Sequence, residues 1–198
     1  MNALTNDIKE VMFTTWPMIV LTCVVLISLR VAYLIRNKKK LIFHQDLTML
    51  MFIVYILCLF QIVTTQDVSG EHGINITLFK ELTRYEFGSR LFYRNVIGNI
   101  ALFIPFGFFT SFYLKLEKKR FVIFLTMLVS LVIEFIQLNI GRAFDVDDII
   151  LNVVGGFIGY LIYRILDKLF GDMEGNVKGS ITLLLLLLGV VFLTFLVL

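Results

Sequence analysis

The sequence predicts an all-α fold, a polytopic transmembrane bundle of about six helices with the N-terminus and the C-terminus outside. Three observations lead there. The chain of 198 residues is 59% hydrophobic with a mean hydropathy of +0.90, and its 17% of charged residues could not cover a soluble domain of this length. The apolar residues fall in blocks of about 18 to 22, the length a helix needs to cross roughly 30 Å of hydrocarbon. No segment shows the alternation, over about ten residues, that marks a membrane β-barrel strand.

The blocks run over about 13–35, 47–65, 96–114, 121–140, 149–166 and 180–198, within a single membrane domain spanning 1–198. The first follows a slightly acidic leader, MNALTNDIKE. Its apolar run is too long for a secretory signal, and no small-x-small cleavage site follows it. It reads as a retained helix. The first and second blocks each enclose one cysteine, Cys23 and Cys58. Neither belongs to a disulfide framework or a metal-binding spacing, so both read as small buried hydrophobes.

The third block contains NVIGNIALFIPFGFF. Asn95 and Asn99 stand four apart and share a face. Pro105 removes a backbone donor near mid-helix and Gly107 follows, which predicts a kink or local opening beneath a polar cavity. The fourth block carries SLVIEFIQLNIGR, with Glu134, Gln137 and Gly141 on one face. A carboxylate inside hydrocarbon is costly without a partner, and intramembrane ionisable groups are functional candidates by default. Arg142 is the expected partner, and a buried clamp that fixes helix packing is the structural alternative. The fifth block places Gly155 and Gly159 four apart, a face that lets another helix approach closely, within this chain rather than between copies. The sixth, 180–198, has no ionisable residue and reads as a C-terminal, lipid-facing membrane helix.

Orientation follows from the basic residues. RNKKK at 36–40, KLEKKR at 115–120, and Arg164 with Lys168 all fall on one side if six helices alternate. That side is expected to be cytoplasmic. These loops also account for the net charge of +3, and no basic-aromatic recognition motif accompanies them, so nucleic acid is not an expected partner.

The outer face then receives the polar chemistry. Segment 66–95 is the longest stretch outside the membrane, and its part TLFKELTRYEF predicts a short interfacial helix. Arg84 and Tyr85 suit a headgroup region, where a guanidinium can grip a phosphate or carboxylate, or serve as an interfacial anchor. Asn75-Ile76-Thr77 matches a glycosylation acceptor that matters only in a eukaryotic secretory context. GRAFDVDD forms the turn between the fourth and fifth blocks. One of Asp145, Asp147 and Asp148 can cap the fifth helix, and the helix dipole favours a second. That leaves a surplus carboxylate and Arg142, with Asn152 continuing the stripe four residues after Asp148. The spacing is not that of an EF-hand, so no metal is assigned, and no cofactor is called for. No Ser–His pairing, phosphate loop or nucleotide fingerprint is present.

These motifs, NVIGNIALFIPFGFF, SLVIEFIQL and GRAFDVDDIILNVVGGFIGY, resemble in order and spacing the VanZ-like family of bacterial membrane proteins. INITLFKELTRY resembles the segment that precedes them in that family. Together they cover roughly 74–163, a VanZ-like core of the outer segment and three helices. The resemblance implies a Gram-positive cell membrane and an association with low-level resistance to the glycopeptide teicoplanin. The family's characteristic polar residues correspond to Asn95, Asn99, Glu134, Gln137, Arg142, Asp145, Asp147, Asp148 and Asn152.

Two functions compete. In the first, Arg84, Asn95, Asn99, Gln137, Arg142, Asp145 and Asn152 line an outward-facing pocket for a lipid, a lipid-linked cell-wall precursor or a lipoglycopeptide antibiotic. In the second, a membrane enzyme modifies a lipid or envelope polymer, with Glu134 as general acid or base and Asp147 and Asp148 orienting the substrate. Transport ranks last, because every ionisable membrane group sits on the outer side and no inverted repeat is evident. The bilayer is the certain partner; the oligomeric state stays open.

Overall fold

The computed structural model describes residues 2–65, 73–79, 83–170 and 179. Within them lie five helices long and apolar enough to cross a membrane, so the chain is an all-α, multi-pass membrane protein. The sixth expected helix, 180–198, lies outside the described residues.

The chain divides into two compact units. One holds α1 (Asn2–Arg36) and α2 (Phe43–Thr65), with membrane-spanning stretches Trp16–Arg36 and Phe43–Ile62. Arg36 closes α1 and Asp46 opens α2, each with the sign that suits the local helix dipole. Between them Lys38 adopts a left-handed conformation (φ 50°) and the Lys39 N–H donates to Leu34 O at 3.0 Å. Arg30 Nε donates to Asp46 Oδ1 at 2.7 Å, tying the two helices together near the turn. Cys23 and Cys58 are free thiols and only half-buried.

The other unit runs from Gln66 to Leu169 and carries α3 (Gly98–Leu114), α4 (Lys119–Asn139) and nearly all of α5 (Val146–Phe170). A helical turn at Arg90–Phe92 and a π-helical segment at Tyr93–Ile97 lead into α3. α3 itself is continuous across Pro105. The departure from α geometry falls at the π segment, which holds Asn95, rather than at the proline. The segment expected as an interfacial helix includes 80–82, which lie outside the described residues.

Helix α4 ends at Asn139, and the chain is turned just beyond it at Gly141. Its φ of 89° lies where a side chain would strain the backbone, and the following Arg142 N–H folds back to Gln137 O at 2.9 Å. The glycines of α5 then dock on α3. Gly155 and Gly159 lie against the backbone carbonyls of Ile100 and Ile104, so the close-approach face is used within this chain. Gly107 meets Gly156 back to back: a Cβ added at Gly107 would stand 1.9 Å from Gly156 O. Helices in lipid gain little from apolar burial alone, and close backbone approach supplies the dispersion contacts that hold them. Phe103, Phe106, Val122, Leu151 and Tyr160 fill the buried remainder.

One element was not expected. Residues β1 (Ile74–Asn75) and β2 (Phe144–Asp145) form a two-residue parallel pair, with Ile74 opposite Phe144 and Asn75 opposite Asp145. The Phe144 N–H donates to Gly73 O at 3.0 Å. Irregular backbone beside hydrocarbon needs partners for its amides, and this pairing provides some of them. The fold class is unchanged by so short a pair.

Candidate functional site

The polar residues gather where α4 ends and α5 begins, and Glu134 is at their centre. It is 1% exposed. Its Oε2 accepts the Asp145 backbone N–H at 2.9 Å. With the Gln137 amide turned to satisfy both its neighbours, Gln137 donates to Glu134 Oε1 at 3.0 Å and its oxygen accepts from Arg142 Nη1. Arg142 is therefore linked to Glu134 through Gln137 rather than only by proximity. The Gly141 turn makes this possible, because it brings residue 142 back over residue 137.

Of the three aspartates, Asp145 is the one that caps the helix. Its Oδ1 accepts the Asp147 N–H at 2.9 Å, the bond of an N-cap to the second helical residue. Its Oδ2 accepts from Asn75 Nδ2 at 2.8 Å, so the cap also holds β1. Asp147, 2% exposed, reaches in the same direction and accepts the Phe79 N–H at 2.7 Å. Phe79 has φ 63°, an uncommon conformation for a bulky residue, and this carboxylate bond helps to hold it there. Asp148 faces α3 and accepts from Asn99 Nδ2 at 2.5 Å. Deeper along α5, Asn152 donates to Ser130 Oγ at 2.8 Å, one turn below Glu134 on α4. The three aspartates thus accept from four donors, three of them outside the cap itself, which accounts for the surplus the capping argument left open.

The structure brings together Glu134, Gln137, Arg142, Asp145, Asp147, Asp148, Asn99 and Asn152. Among the described contacts, none joins Asn95 to them. Arg84 is exposed, with its guanidinium 5.8 Å over the Tyr85 ring, as an interfacial anchor would be. Asn95 is half-buried in the π segment. Sequence reasoning missed Asn75, whose glycosylation pattern drew attention away from its amide, and Ser130, whose signal was its place four residues before Glu134. It had no means of finding the Phe79 amide.

Burial sorts these groups into two layers. Glu134, Gln137, Asp145, Asp147 and Asn152 are buried, while Asn99, Arg142 and Asp148 are half-buried at the rim. In the inner layer the carboxylates of Glu134, Asp145 and Asp147 accept from donors of the chain, and Gln137 and Asn152 donate, which is how polar groups persist in a low-dielectric setting. Asn152 Oδ1 is buried without a hydrogen-bond partner among the described residues. The outer layer combines a cation, a carboxylate and an amide, a mixture suited to a charged or zwitterionic group. Among the described residues, no three His, Cys, Asp or Glu side chains converge as metal ligands.

The family model described as VanZ/LLP1 matches residues 47–167. This chain belongs to the VanZ/LLP1 family. The VanZ/LLP1 match takes in most of α2, both strands, α3, α4 and most of α5, and with them every residue of the polar cluster; α1 lies before it. Protein VanZ of Enterococcus faecium is 38% identical over 81 residues, which is 38% of this chain and 48% of that protein. The aligned stretch therefore spans about half the length of that curated relative. No solved structure matches the chain.

Proposed function

We propose that this protein works at the outer face of the bacterial cell membrane as a binding module that lowers susceptibility to teicoplanin. In this reading Asn99, Arg142 and Asp148 contact a lipid headgroup, a lipid-linked cell-wall precursor or the lipoglycopeptide itself. Glu134, Gln137, Asp145, Asp147 and Asn152 hold that rim in position, and Arg84 and Asn95 flank it. The outward placement rests on the basic α3–α4 turn and the α5 residues Arg164 and Lys168, which mark the other end of these helices as cytoplasmic. The resemblance to the VanZ-like family, with the association that it implies, supports the link to resistance.

One observation carries the choice of binding over catalysis. Both oxygens of Glu134 accept hydrogen bonds from within the chain, one of them from a backbone amide. A general acid or base needs an oxygen that reaches the substrate, whereas a positioning carboxylate needs the contacts Glu134 has. Arg142, at the end of the relay, offers a planar fork that suits phosphate or carboxylate.

The test uses two variants in a susceptible Gram-positive host, with membrane levels measured for each. Arg142→Ala is expected to lower the inhibitory concentration of teicoplanin to that of cells without the protein, and Glu134→Gln to keep most of the protection. Full protection by Arg142→Ala at normal membrane level would sink the binding reading. Loss confined to Glu134→Gln, with an altered lipid or envelope-polymer profile in a deletion strain, would instead support an enzyme using Glu134 as acid or base with Asp147 and Asp148.

A further inference from the structure

We propose that the α1–α2 turn is a binding site for an anionic phospholipid of the cytoplasmic leaflet, with Lys38 and Lys39 holding its phosphate. An open groove of about 350 Å³ lies there, lined by Val31, Leu34, Ile35, Lys38, Lys39 and Leu41. The volume suits a headgroup and the first part of its glycerol stem. The lining divides accordingly. Four residues are aliphatic, and the two lysines follow one another at the end of α1.

Two further observations select the occupant. The first concerns charge. Arg30, in α1 more than two turns before these lysines, is neutralised by Asp46 at 2.7 Å. Among the described residues, no carboxylate pairs with Lys38 or Lys39, so an apolar groove is left carrying uncompensated positive charge. The second concerns order. Lys38 is fixed by its left-handed turn, and Lys39 Nζ donates to the Tyr33 hydroxyl at 3.1 Å while standing 5.4 Å from the ring centre. A lysine held in this way keeps its ammonium at the groove instead of trailing into water. Tyr33 itself is the kind of residue that sits at headgroup depth. A free inorganic phosphate would use the lysines and leave the aliphatic wall in water. A phospholipid satisfies both, and the basic turn is the one the positive-inside pattern assigns to the anionic inner leaflet.

The full-length protein purified in a neutral detergent tests this, with bound phosphatidylglycerol counted by native mass spectrometry against phosphatidylcholine. Four forms are compared: the wild type, Lys38→Gln/Lys39→Gln, Lys38→Arg/Lys39→Arg, and Lys118→Gln/Lys119→Gln. The last removes the same charge from the α3–α4 turn. The proposal expects one tightly held phosphatidylglycerol on the wild type, a loss on the order of 20-fold in affinity for the first double variant, and retention in the arginine and Lys118/Lys119 variants. Equal losses in both glutamine variants would show general surface attraction and overturn the site. So would undiminished binding by Lys38→Gln/Lys39→Gln, preference for phosphatidylcholine, or displacement of the lipid by millimolar inorganic phosphate.

Discussion

In α1 and α2, 6% and 11% of the membrane-spanning residues are buried within the protein, whereas in α3 and α5 the shares are 44% and 39%. The α2 and α5 spans share a mean hydropathy of 1.8, so hydropathy alone does not set their burial. What differs is the chemistry at the contact. Among the described contacts, an ion pair, Arg30 to Asp46, joins the hairpin close to the turn that already links its helices. The core brings backbones together at Gly107, Gly155, Gly156 and Gly159 and adds a layer of mutually bonded polar groups at one end. Lipid solvates an apolar side chain as well as a neighbouring helix does, so only close approach and directional bonds discriminate. A densely packed core is also the better platform for a site that must hold its geometry.

The strongest way to break this contrast is to separate the backbones. Gly107→Val should destabilise the core by more than about 3 kcal/mol, because backbone rather than a flexible side chain blocks the added atoms. Loss of folded protein in a detergent titration reads this directly, and a near-normal unfolding midpoint would refute the seam. Next comes Glu134→Ala, which strands the Asp145 amide and Gln137 and should cost about 2–4 kcal/mol. Glu134→Gln preserves an acceptor for Asp145 and should cost less than half as much by the same assay. Equal losses would mean that the charge, not the hydrogen-bond geometry, sustains the cluster.

A smaller effect is expected from Asn75→Ala. It removes one bond to the Asp145 cap, worth about 1 kcal/mol, and should speed amide exchange at Phe79 and Phe144 while leaving α3 and α5 protected. Unchanged exchange at those two amides would show that β1 docks without its asparagine. Arg30→Ala should be the mildest, below about 1 kcal/mol, since the guanidinium is substantially exposed and the turn already links the helices. A loss as large as that of Glu134→Ala would erase the distinction between the two regions.

Much of this was legible in the sequence, and the boundary of legibility has a physical cause. Blocks two to five match α2 to α5 within a few residues, because crossing hydrocarbon demands a length that hydropathy records directly. The first block understated α1, which continues as helix into polar residues where that record is blank. Glu134 and the GRAFDVDD turn stood out because charge inside or beside an apolar run is costly. Asp145 as a cap could be argued from local position alone. The partners could not: Asp147 to the Phe79 amide and Asp148 to Asn99 join positions 68 and 49 residues apart, and no periodicity connects them. Two-residue strands leave no alternating pattern either. Pro105 misdirected attention within the third block, because a missing donor marks where a helix can yield but not where it does.

The β1–β2 pairing also bears on how the protein is assembled. Asn75 and Asp145 are 70 residues apart, and everything between them includes α3 and α4. During synthesis the outer segment emerges first and must wait while two helices enter the membrane and the α4–α5 turn appears. Loop closure over that distance carries an entropic cost that local contacts do not. The strand pair can therefore close only after α3, α4 and the α4–α5 turn have been made. Until it does, the inner carboxylates Asp145 and Asp147 lack the Asn75 side-chain amide and the Phe79 N–H as donors.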